Sequence, residues 1–331
     1  MKYMDLHCDT ISAIYEKRQK GMKAELKENT GHIDLVRLKK GGCFGQNFAL
    51  FTYLKRTKEP YRYGKELLRT FQQELAANPE VIRQAFSTAD LLENERNGRM
   101  SAILTLEEGA VCEGDPEKLK EFYRAGARMM TLTWNFENEL AWPNRIDPVT
   151  GAFAPETEHG LKPKGVEFVE LMEELGMAVD VSHLGDAGFW DVARVTKKPF
   201  LASHSNARAV ASHVRNLTDE MIRTLSERGG IMGINFCAAF LNDAEGSHPD
   251  GGTSRVADMI RHINHIYQVG GIDCIALGSD FDGIGCRLEM ESPAKLSLLW
   301  EALERNGFTE EEVEKIFWKN SYRFYREVWR E

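Results

Sequence analysis

The feature that most constrains the fold of this sequence is an alternation of short apolar runs with longer amphipathic stretches. Eight apolar runs can be distinguished, each ending in polar residues, and they cover residues 3–6, 43–51, 101–106, 128–133, 177–181, 199–202, 230–235 and 274–277. The stretches between them carry apolar residues at helical spacing, which predicts strands alternating with helices and hence parallel strand pairing. Eight such units predict an α/β fold, the (β/α)₈ TIM-type barrel, in which functional residues lie at the carboxyl ends of the strands.

Helical patterns fill most of the gaps between these runs, and they cover residues 63–77, 116–125, 164–175, 186–195, 218–228 and 255–268. Gly176, Gly229 and Gly270 stand where helices are expected to end. Residues 296–328 predict a helical carboxyl-terminal extension, in which Thr309 caps a helix with an acidic first turn. Because barrels of this length are often one domain, we expect a single domain over residues 1–331.

Composition narrows the class of protein and its cellular setting. A net charge of −9 with no basic stripe argues against a nucleic-acid partner. No apolar run approaches the length of a membrane span, and the first residues already form a core strand, so we expect neither a membrane association nor a signal peptide. Six scattered cysteines without a Cys-x-x-Cys pair fit a reduced, cytoplasmic setting.

Residue types typical of metal-dependent catalysis follow directly after five of the apolar runs. They are His7 and Asp9 after the first, Glu107 and Glu108 after the third, His183 after the fifth, His204 after the sixth, and Asp280 and Asp282 after the eighth. Along the first strand, alternation places Asp5, His7 and Asp9 on one face. A catalytic zinc ion with tetrahedral coordination and one open position takes three protein ligands, and these residues offer more than three. They suit two divalent metal ions that share a bridging carboxylate.

The other histidines carry weaker signals. His262 and His265 are three residues apart in the middle of a predicted helix, away from the strand ends, and we interpret them as solvated surface rather than metal ligands. His213 is closer to the expected site, and its role is left open.

Taken together, these motifs resemble those of the membrane dipeptidase (renal dipeptidase) family, metallopeptidase family M19, among the amidohydrolase-like barrels. The segments that carry the resemblance are Asp-Leu-His-Cys-Asp at 5–9, Leu-Glu-Glu-Gly at 106–109, Asp-Val-Ser-His at 180–183, Ser-His-Ser-Asn-Ala at 203–207, Arg-Asn at 215–216 and Gly-Ser-Asp-Phe-Asp-Gly at 278–283. They span the chain in the family's order, and the 21-residue step from His183 to His204 fits its spacing. The resemblance implies a zinc-dependent dipeptidase that hydrolyses small dipeptides, with tolerance for a D-residue at the carboxyl position.

The resemblance also implies a role for each matching residue. Two divalent metal ions are implied, with Zn²⁺ favoured: His7 and Asp9 would bind one, His183 and His204 the other, and Glu107 would bridge them. Spacing to the following Leu-Thr pair and strand alternation favour Glu107 over the adjacent Glu108 as the bridge.

Two further residues match family positions outside the ligand set. Asp280 matches the aspartate that manages protons around the nucleophilic water, with Asp282 as the next candidate. Arg215, eleven residues after His204, matches the arginine that binds the free carboxylate of the substrate. The alternative for Arg215 is a surface arginine paired with Asp219 or with the glutamate that follows it.

One position departs from the family pattern. Its best-known members carry Leu-Thr-His after the fourth strand, and that histidine contacts the scissile carbonyl. Here Trp134 occupies the position, followed by Asn135, and we predict that both contact the substrate. An indole N–H donates one hydrogen bond but carries no positive charge, so Asn135 is a candidate to replace the lost donor in part.

Two other functions remain open. One is another amidohydrolase, acting on a different amide or lactone; such enzymes commonly carry His-x-His on the first strand, and some have a carboxylated lysine on the fourth, which residues 129–134 lack. The other is a catalytically weakened binding protein, for which Trp134 is the only support. A homodimer is left open, and the missing secretory and lipid-anchor signals of the family favour a cytoplasmic location.

Overall fold

The computed structural model describes residues 1–146, 152–246, 248 and 250–330. Within these residues, eight parallel strands form one closed sheet. The strands are β1 Tyr3–Asp5, β2 Cys43–Phe51, β3 Met100–Glu107, β4 Ala127–Thr131, β5 Ala178–Asp180, β6 Leu201–Ala202, β7 Ile231–Ile234 and β8 Ile275–Leu277. Strand β1 pairs with β2 on one side and with β8 on the other, which closes the barrel and confirms the predicted fold.

Helices surround the barrel. They are α1 Thr10–Gln19, α2 Leu35–Gly41, α3 Pro60–Ala76, α4 Thr88–Arg96, α5 Pro116–Arg124, α6 Pro163–Leu175, α7 Asp186–Val195, α8 Asp219–Glu227, α9 Ala238–Leu241, α10 Val256–Gly270, α11 Ser297–Arg305, α12 Glu310–Glu314 and α13 Asn320–Val328. The last three confirm the helical extension, and Thr309 caps α12 in a reciprocal capping box with Glu312. Helix α10 extends through Gly270, and the chain leaves the helix at Gly271, which has a positive φ of 79°, one residue later than predicted.

Three short strand pairings lie outside the eight predicted runs. Ile82–Gln84 pairs in parallel with the first residues of β3, and Thr253–Ser254 pairs with Arg287–Leu288. In the connection after β4, Arg145–Ile146 pairs antiparallel with Phe153–Ala154. This last ribbon belongs to the loops that surround the carboxyl ends of the barrel strands.

The carboxyl-terminal helix α13 seals one end of the barrel. Phe324 and Tyr325 are buried in a cluster with inner residues of all eight strands, among them Met4, Phe44, Ile103, Met129, Ala178, Leu201, Ile231 and Ala276. The Tyr325 hydroxyl accepts a hydrogen bond of 2.6 Å from the Asn47 side chain, and its ring stacks on Trp329 at 4.1 Å. Because these strand residues lie on the amino-terminal side of the functional residues, the open mouth of the barrel is at the carboxyl ends.

No helix of the described residues combines the length and the apolar character that a membrane crossing requires. The cytoplasmic location and the single domain over residues 1–331 stay predictions.

Candidate active site

The carboxyl ends of β1 and β3 bring one histidine against several carboxylates. His7 Nε2 lies 3.3 Å from Glu107 Oε2 and 3.4 Å from Asp9 Oδ2. Asp280, from the loop after β8, completes this group with Oδ1 at 3.9 Å from His7 Nε2. All four side chains are buried or nearly so.

A second pair of histidines faces the other oxygen of Glu107. His183 Nε2 lies 3.3 Å from Glu107 Oε1, and His204 Nε2 lies 3.8 Å from the same oxygen. The two histidine Nε2 atoms are 2.9 Å apart, and the His204 ring stacks on His7 at 3.8 Å. Glu107 therefore presents one carboxylate oxygen to His7 and the other to the His183–His204 pair.

Glu108 has a different role, although it is adjacent in sequence. Its carboxylate accepts hydrogen bonds of 2.9 Å from the backbone N–H groups of Ala110 and Trp134, and another from the Asn138 side chain. Its backbone φ of 89° turns the chain at the end of β3. Glu108 thus organises the loops after β3 and β4 rather than the histidine cluster.

The buried Asp180 supports the histidine pair from below. Its carboxylate accepts hydrogen bonds from the backbone and hydroxyl of Ser203 and from the backbone of Ser182. The Ser203 hydroxyl lies 2.7 Å from Nδ1 of His204 and so orients that ring. His183 follows in a left-handed conformation with φ of 67°, a strained geometry that only a well-held turn maintains.

Asp5 plays the same part for the loop after β8. Strand alternation placed it on the face of His7 and Asp9, but its carboxylate accepts hydrogen bonds from the backbone and hydroxyl of Ser279 instead. These bonds anchor the turn in which Asp280 has a φ of 61°. Asp5 is therefore a support of the loop and stays outside the cluster.

Burial gives the carboxyl groups of the cluster unusual acidities. Removal from water, reinforced by the neighbouring Asp9, raises the pKa of Glu107 to about 8. Removal from water likewise raises the pKa of Asp280 to about 6, although His7 acts in the opposite direction. In the absence of a cation, these carboxyl groups therefore resist ionisation.

The pKa values of the three histidines shift in different directions, depending on the groups beside each ring. Burial lowers the pKa of both His183 and His204 well below the usual value. Burial also acts on His7, but Glu107 and Asp9 outweigh it and raise its pKa well above the usual value. The imidazoles of the pair are thus kept neutral, the form that binds metal ions.

The donor atoms of this cluster suit a divalent metal ion. Both ring nitrogens of His7, Oδ1 of Asp9 and Oε2 of Glu107 are buried and have no hydrogen-bond partner within the described residues. Donor atoms within 4.8 Å of one another form two groups, His7–Glu107–His204 and His7–Asp9–Asp280. Imidazole nitrogens and carboxylate oxygens are the ligands that Zn²⁺ and similar ions take.

A cavity of about 310 Å³ opens above the cluster, and the residues predicted to contact the substrate line it. Trp134 lies on its wall, with its ring 5.8 Å from that of His183 and 5.1 Å from that of Phe51. Asn135 Oδ1 lies 3.0 Å from His183 Nδ1, so Asn135 both lines the cavity and orients a ring of the cluster.

Arg215 also lines this cavity and is 5% exposed. Its guanidinium donates to the backbone oxygen of His204 at 3.1 Å and to the Ser205 hydroxyl at 3.3 Å, while Nε has no hydrogen-bond partner among the described residues. The alternative of a surface arginine paired with Asp219 or Glu220 is wrong, because Arg215 is buried and its guanidinium contacts Ser205 and the His204 backbone. Asp219 instead contacts His265 at 2.7 Å.

Some residues of the site carry no legible sequence signal. Asn235, after β7, donates from Nδ2 to Asp280 Oδ2 at 2.9 Å and to the His204 backbone oxygen at 3.3 Å. His213, whose role was open, lines the cavity. The only sequence signal for Asn235 and His213 is their location, directly after strand β7 and in the loop after strand β6.

The interpretation of His262 as solvated surface is wrong. It is fully buried, Nδ1 accepts from the Ala207 backbone at 3.1 Å, and Nε2 lies 3.0 Å from the Leu241 backbone oxygen. Burial lowers its pKa to about 4. The neutral ring thus ties helix α10 to the loops after β6 and β7, which sequence spacing does not reveal.

A parallel barrel with buried histidines and carboxylates at the carboxyl ends of its strands is an arrangement typical of metal-dependent hydrolases. Over residues 1–330 the chain matches the membrane dipeptidase family, peptidase family M19. The chain belongs to this family and is a metallo-dipeptidase by class.

Named relatives agree with this membership. A Klebsiella pneumoniae protein, described as an uncharacterized protein in the pqqA 5′ region, is 34% identical over 80% of this chain and 95% of its own length. Dipeptidase tcpJ of Claviceps purpurea is 28% identical over 96% of this chain and 74% of its own.

Two solved structures are similar over 99% of both chains. Dipeptidase AC, a metallopeptidase of family M19, has a TM-score of 0.90 at 26% identity. A metallopeptidase from Rhodobacter sphaeroides, liganded with a phosphinate mimic of the dipeptide L-Ala-D-Ala, has a TM-score of 0.88 at 25% identity.

We predict that the metal-free protein loses stability as the pH rises from about 6.5 to about 8.5. The pKa of Glu107 is about 8 in the folded protein against 4.5 in the unfolded chain, so only the folded state holds this proton across the range. The free energy of unfolding should fall by about 2 kcal/mol. His183 and His204, with lowered pKa values, add stability only as the pH rises toward 6.5 and do not offset the loss. His7, with its raised pKa, contributes stability that is lost as the pH rises above 6.5, and so acts in the same direction as Glu107.

Urea unfolding of chelator-treated protein at several pH values measures this slope. Glu107→Gln is the matched control, because it has no proton to lose and should flatten the dependence. A metal-free protein equally stable at both ends of the range would contradict the prediction.

Proposed function

We propose that this protein hydrolyses dipeptides with a free carboxylate and uses two divalent metal ions, with Zn²⁺ favoured. The observation that carries the proposal is the position of Glu107, whose two oxygens face His7 and His183 at 3.3 Å each, beneath a cavity lined by Arg215. The Rhodobacter sphaeroides structure liganded with a dipeptide mimic supports the substrate class, including a D-residue at the carboxyl position.

The ligands divide into two sets around Glu107. His7 and Asp9 would hold one ion, His183 and His204 would hold the other, and Glu107 would bridge them. The chemistry supplied at such a site, when the ions are bound, is a lowered pKa of water and polarisation of the scissile carbonyl. Support comes from the donor atoms of His7, Asp9 and Glu107 that have no hydrogen-bond partner among the described residues, and from the neutral imidazoles of His183 and His204.

Asp280 is proposed to move the proton during hydrolysis. The Asn235 amide holds Oδ2 at 2.9 Å, which leaves Oδ1 directed at the cluster, 3.9 Å from His7 Nε2. From there Asp280 would accept a proton from the attacking water and deliver it to the leaving amine, first as general base and then as general acid.

Arg215 is proposed to bind the carboxylate of the substrate. Its backbone and hydroxyl contacts hold the guanidinium in place, and within the part of the chain that the structure describes it has no carboxylate partner and its Nε–H has no acceptor. A planar guanidinium can bind a carboxylate through two parallel hydrogen bonds. Arg215 would thereby restrict substrates to those with a carboxylate close to the scissile bond.

We predict that Glu107→Ala loses metal, whereas Glu108→Ala keeps it. Removing Glu107 takes away the oxygens between the histidines, whereas Glu108 accepts hydrogen bonds from the loops after β3 and β4. Metal content per protein, measured by atomic emission after dialysis, distinguishes the two variants. The reverse pattern would move the bridge to Glu108.

We predict that Asp280→Asn folds and keeps its metal but loses activity by about 10²–10⁴-fold. The amide has the same shape as the carboxylate but cannot take up the proton. Steady-state kcat, together with metal content, provides the measurement. A near-normal kcat would remove Asp280 from the mechanism and make Asp282 the next candidate.

We predict that Arg215→Met lowers kcat/KM for a free dipeptide by the equivalent of about 1.5–3 kcal/mol, the worth of a charged hydrogen bond. The matching dipeptide amide has no carboxylate, so its hydrolysis should barely change. Comparing both substrates in both proteins measures the difference. An equal effect on acid and amide, or no effect on either, would instead favour a different amidohydrolase activity or a binding role.

A further inference from the structure

A row of rings extends from Arg215 along one wall of the cavity. The Arg215 Cζ atom lies 5.5 Å from the centre of the Phe240 ring. The Phe240 ring lies 4.6 Å from that of His213, which in turn lies 4.7 Å from that of Phe153. All four residues line the cavity, and the proposed hydrolysis uses only Arg215.

Three different loops assemble this row, which we call the aromatic row, Phe153–His213–Phe240. Phe153 belongs to the ribbon after β4, His213 to the loop after β6, and Phe240 to helix α9 after β7. His213 and Phe240 are less than a tenth exposed, whereas Phe153 is half-buried. The row therefore begins beside Arg215 with two buried rings, Phe240 and His213, and ends with the more accessible ring of Phe153.

The position of the row relative to Arg215 determines which part of a dipeptide it would contact. A carboxylate bound by Arg215 is one bond from the α-carbon of the carboxyl-terminal residue. The side chain on that carbon therefore begins close to Phe240 and His213, and a long side chain can reach Phe153.

The charges lining the cavity disfavour an acidic side chain at this place. Among the described residues that line it, the arginines are Arg215 and Arg56. Arg56 forms an ion pair with Glu16, and Arg215 is assigned to the substrate carboxylate. Asp280 and Asp282 also line the cavity and would repel a second carboxylate.

We propose, resting on the dipeptidase function above, that the preferred substrates carry a large apolar side chain, above all an aromatic one, on the carboxyl-terminal residue. The aromatic row, Phe153–His213–Phe240, receives that side chain. A difference of one methylene group in an apolar site changes kcat/KM by about 10–200-fold, so an aromatic ring against this wall is expected to give at least a change of this order.

The test compares alanyl-phenylalanine, alanyl-alanine and alanyl-aspartate, each with an L- and a D-residue at the carboxyl end, by kcat/KM with the metal-loaded protein. We expect alanyl-phenylalanine of the favoured stereochemistry to exceed the other two by about 10–100-fold. Phe153→Ala should reduce its kcat/KM by about 10-fold and leave alanyl-alanine within about 2-fold. Phe153→Leu, which keeps an apolar side chain, should give an intermediate loss.

Phe136→Ala is the matched control. Phe136 is also half-buried near the mouth, where its ring packs 5.5 Å from Trp134, but it does not line the cavity. This variant should keep the wild-type ratio of alanyl-phenylalanine to alanyl-alanine.

Different failures have different meanings. If none of the dipeptides is hydrolysed, the dipeptidase function itself fails. If the dipeptides are hydrolysed but alanyl-alanine or alanyl-aspartate is as good as alanyl-phenylalanine, the proposed preference is overturned and the function stands. Equal changes of the ratio in Phe153→Ala and Phe136→Ala would remove the aromatic row from substrate selection.

Discussion

Closure of the barrel is the constraint on which the site depends. Strands β1 and β8 are the first and last barrel strands along the chain, and their pairing joins Asp5 to Leu277. The Asp5 carboxylate then accepts a hydrogen bond from the backbone of Ser279. This junction places Asp280 beside His7, although they are far apart in the sequence. Without closure, His7 after β1 and Asp280 after β8 would lie at opposite edges of an open sheet.

Concentrating this many ionisable groups in a buried space has an electrostatic cost. The raised pKa of Glu107 and the lowered pKa values of His183 and His204 express that cost, because burial disfavours every charged form. The left-handed turns at His183 and Asp280 add backbone strain. The closed sheet, the α13 cluster and the hydrogen bonds of Asp5 and Asp180 hold the arrangement, and metal binding would remove much of the electrostatic cost.

The two sides of the site are built differently. The candidate metal ligands follow strand ends, where the barrel determines their position. The walls of the cavity come from longer connections, such as the ribbon that carries Phe153 and the segment with His213 and Arg215. Loops tolerate substitution better than strands, so the same cluster can serve different substrates. Trp134, at the position where the resemblance implies a histidine, packs on Phe51 in this wall.

The sequence by itself determined the barrel, its order of strands and helices, and the residues at the strand ends, because alternation and helical spacing are local properties of the chain. It also indicated Glu107 rather than Glu108, through the same alternation. Tertiary structure alone decided that Asp5 supports a loop, that His262 is buried, and that Asn235 contacts Asp280, since each depends on partners distant in sequence. The aromatic row depends on three separate loops meeting above the barrel, and no periodicity in the chain encodes such a meeting.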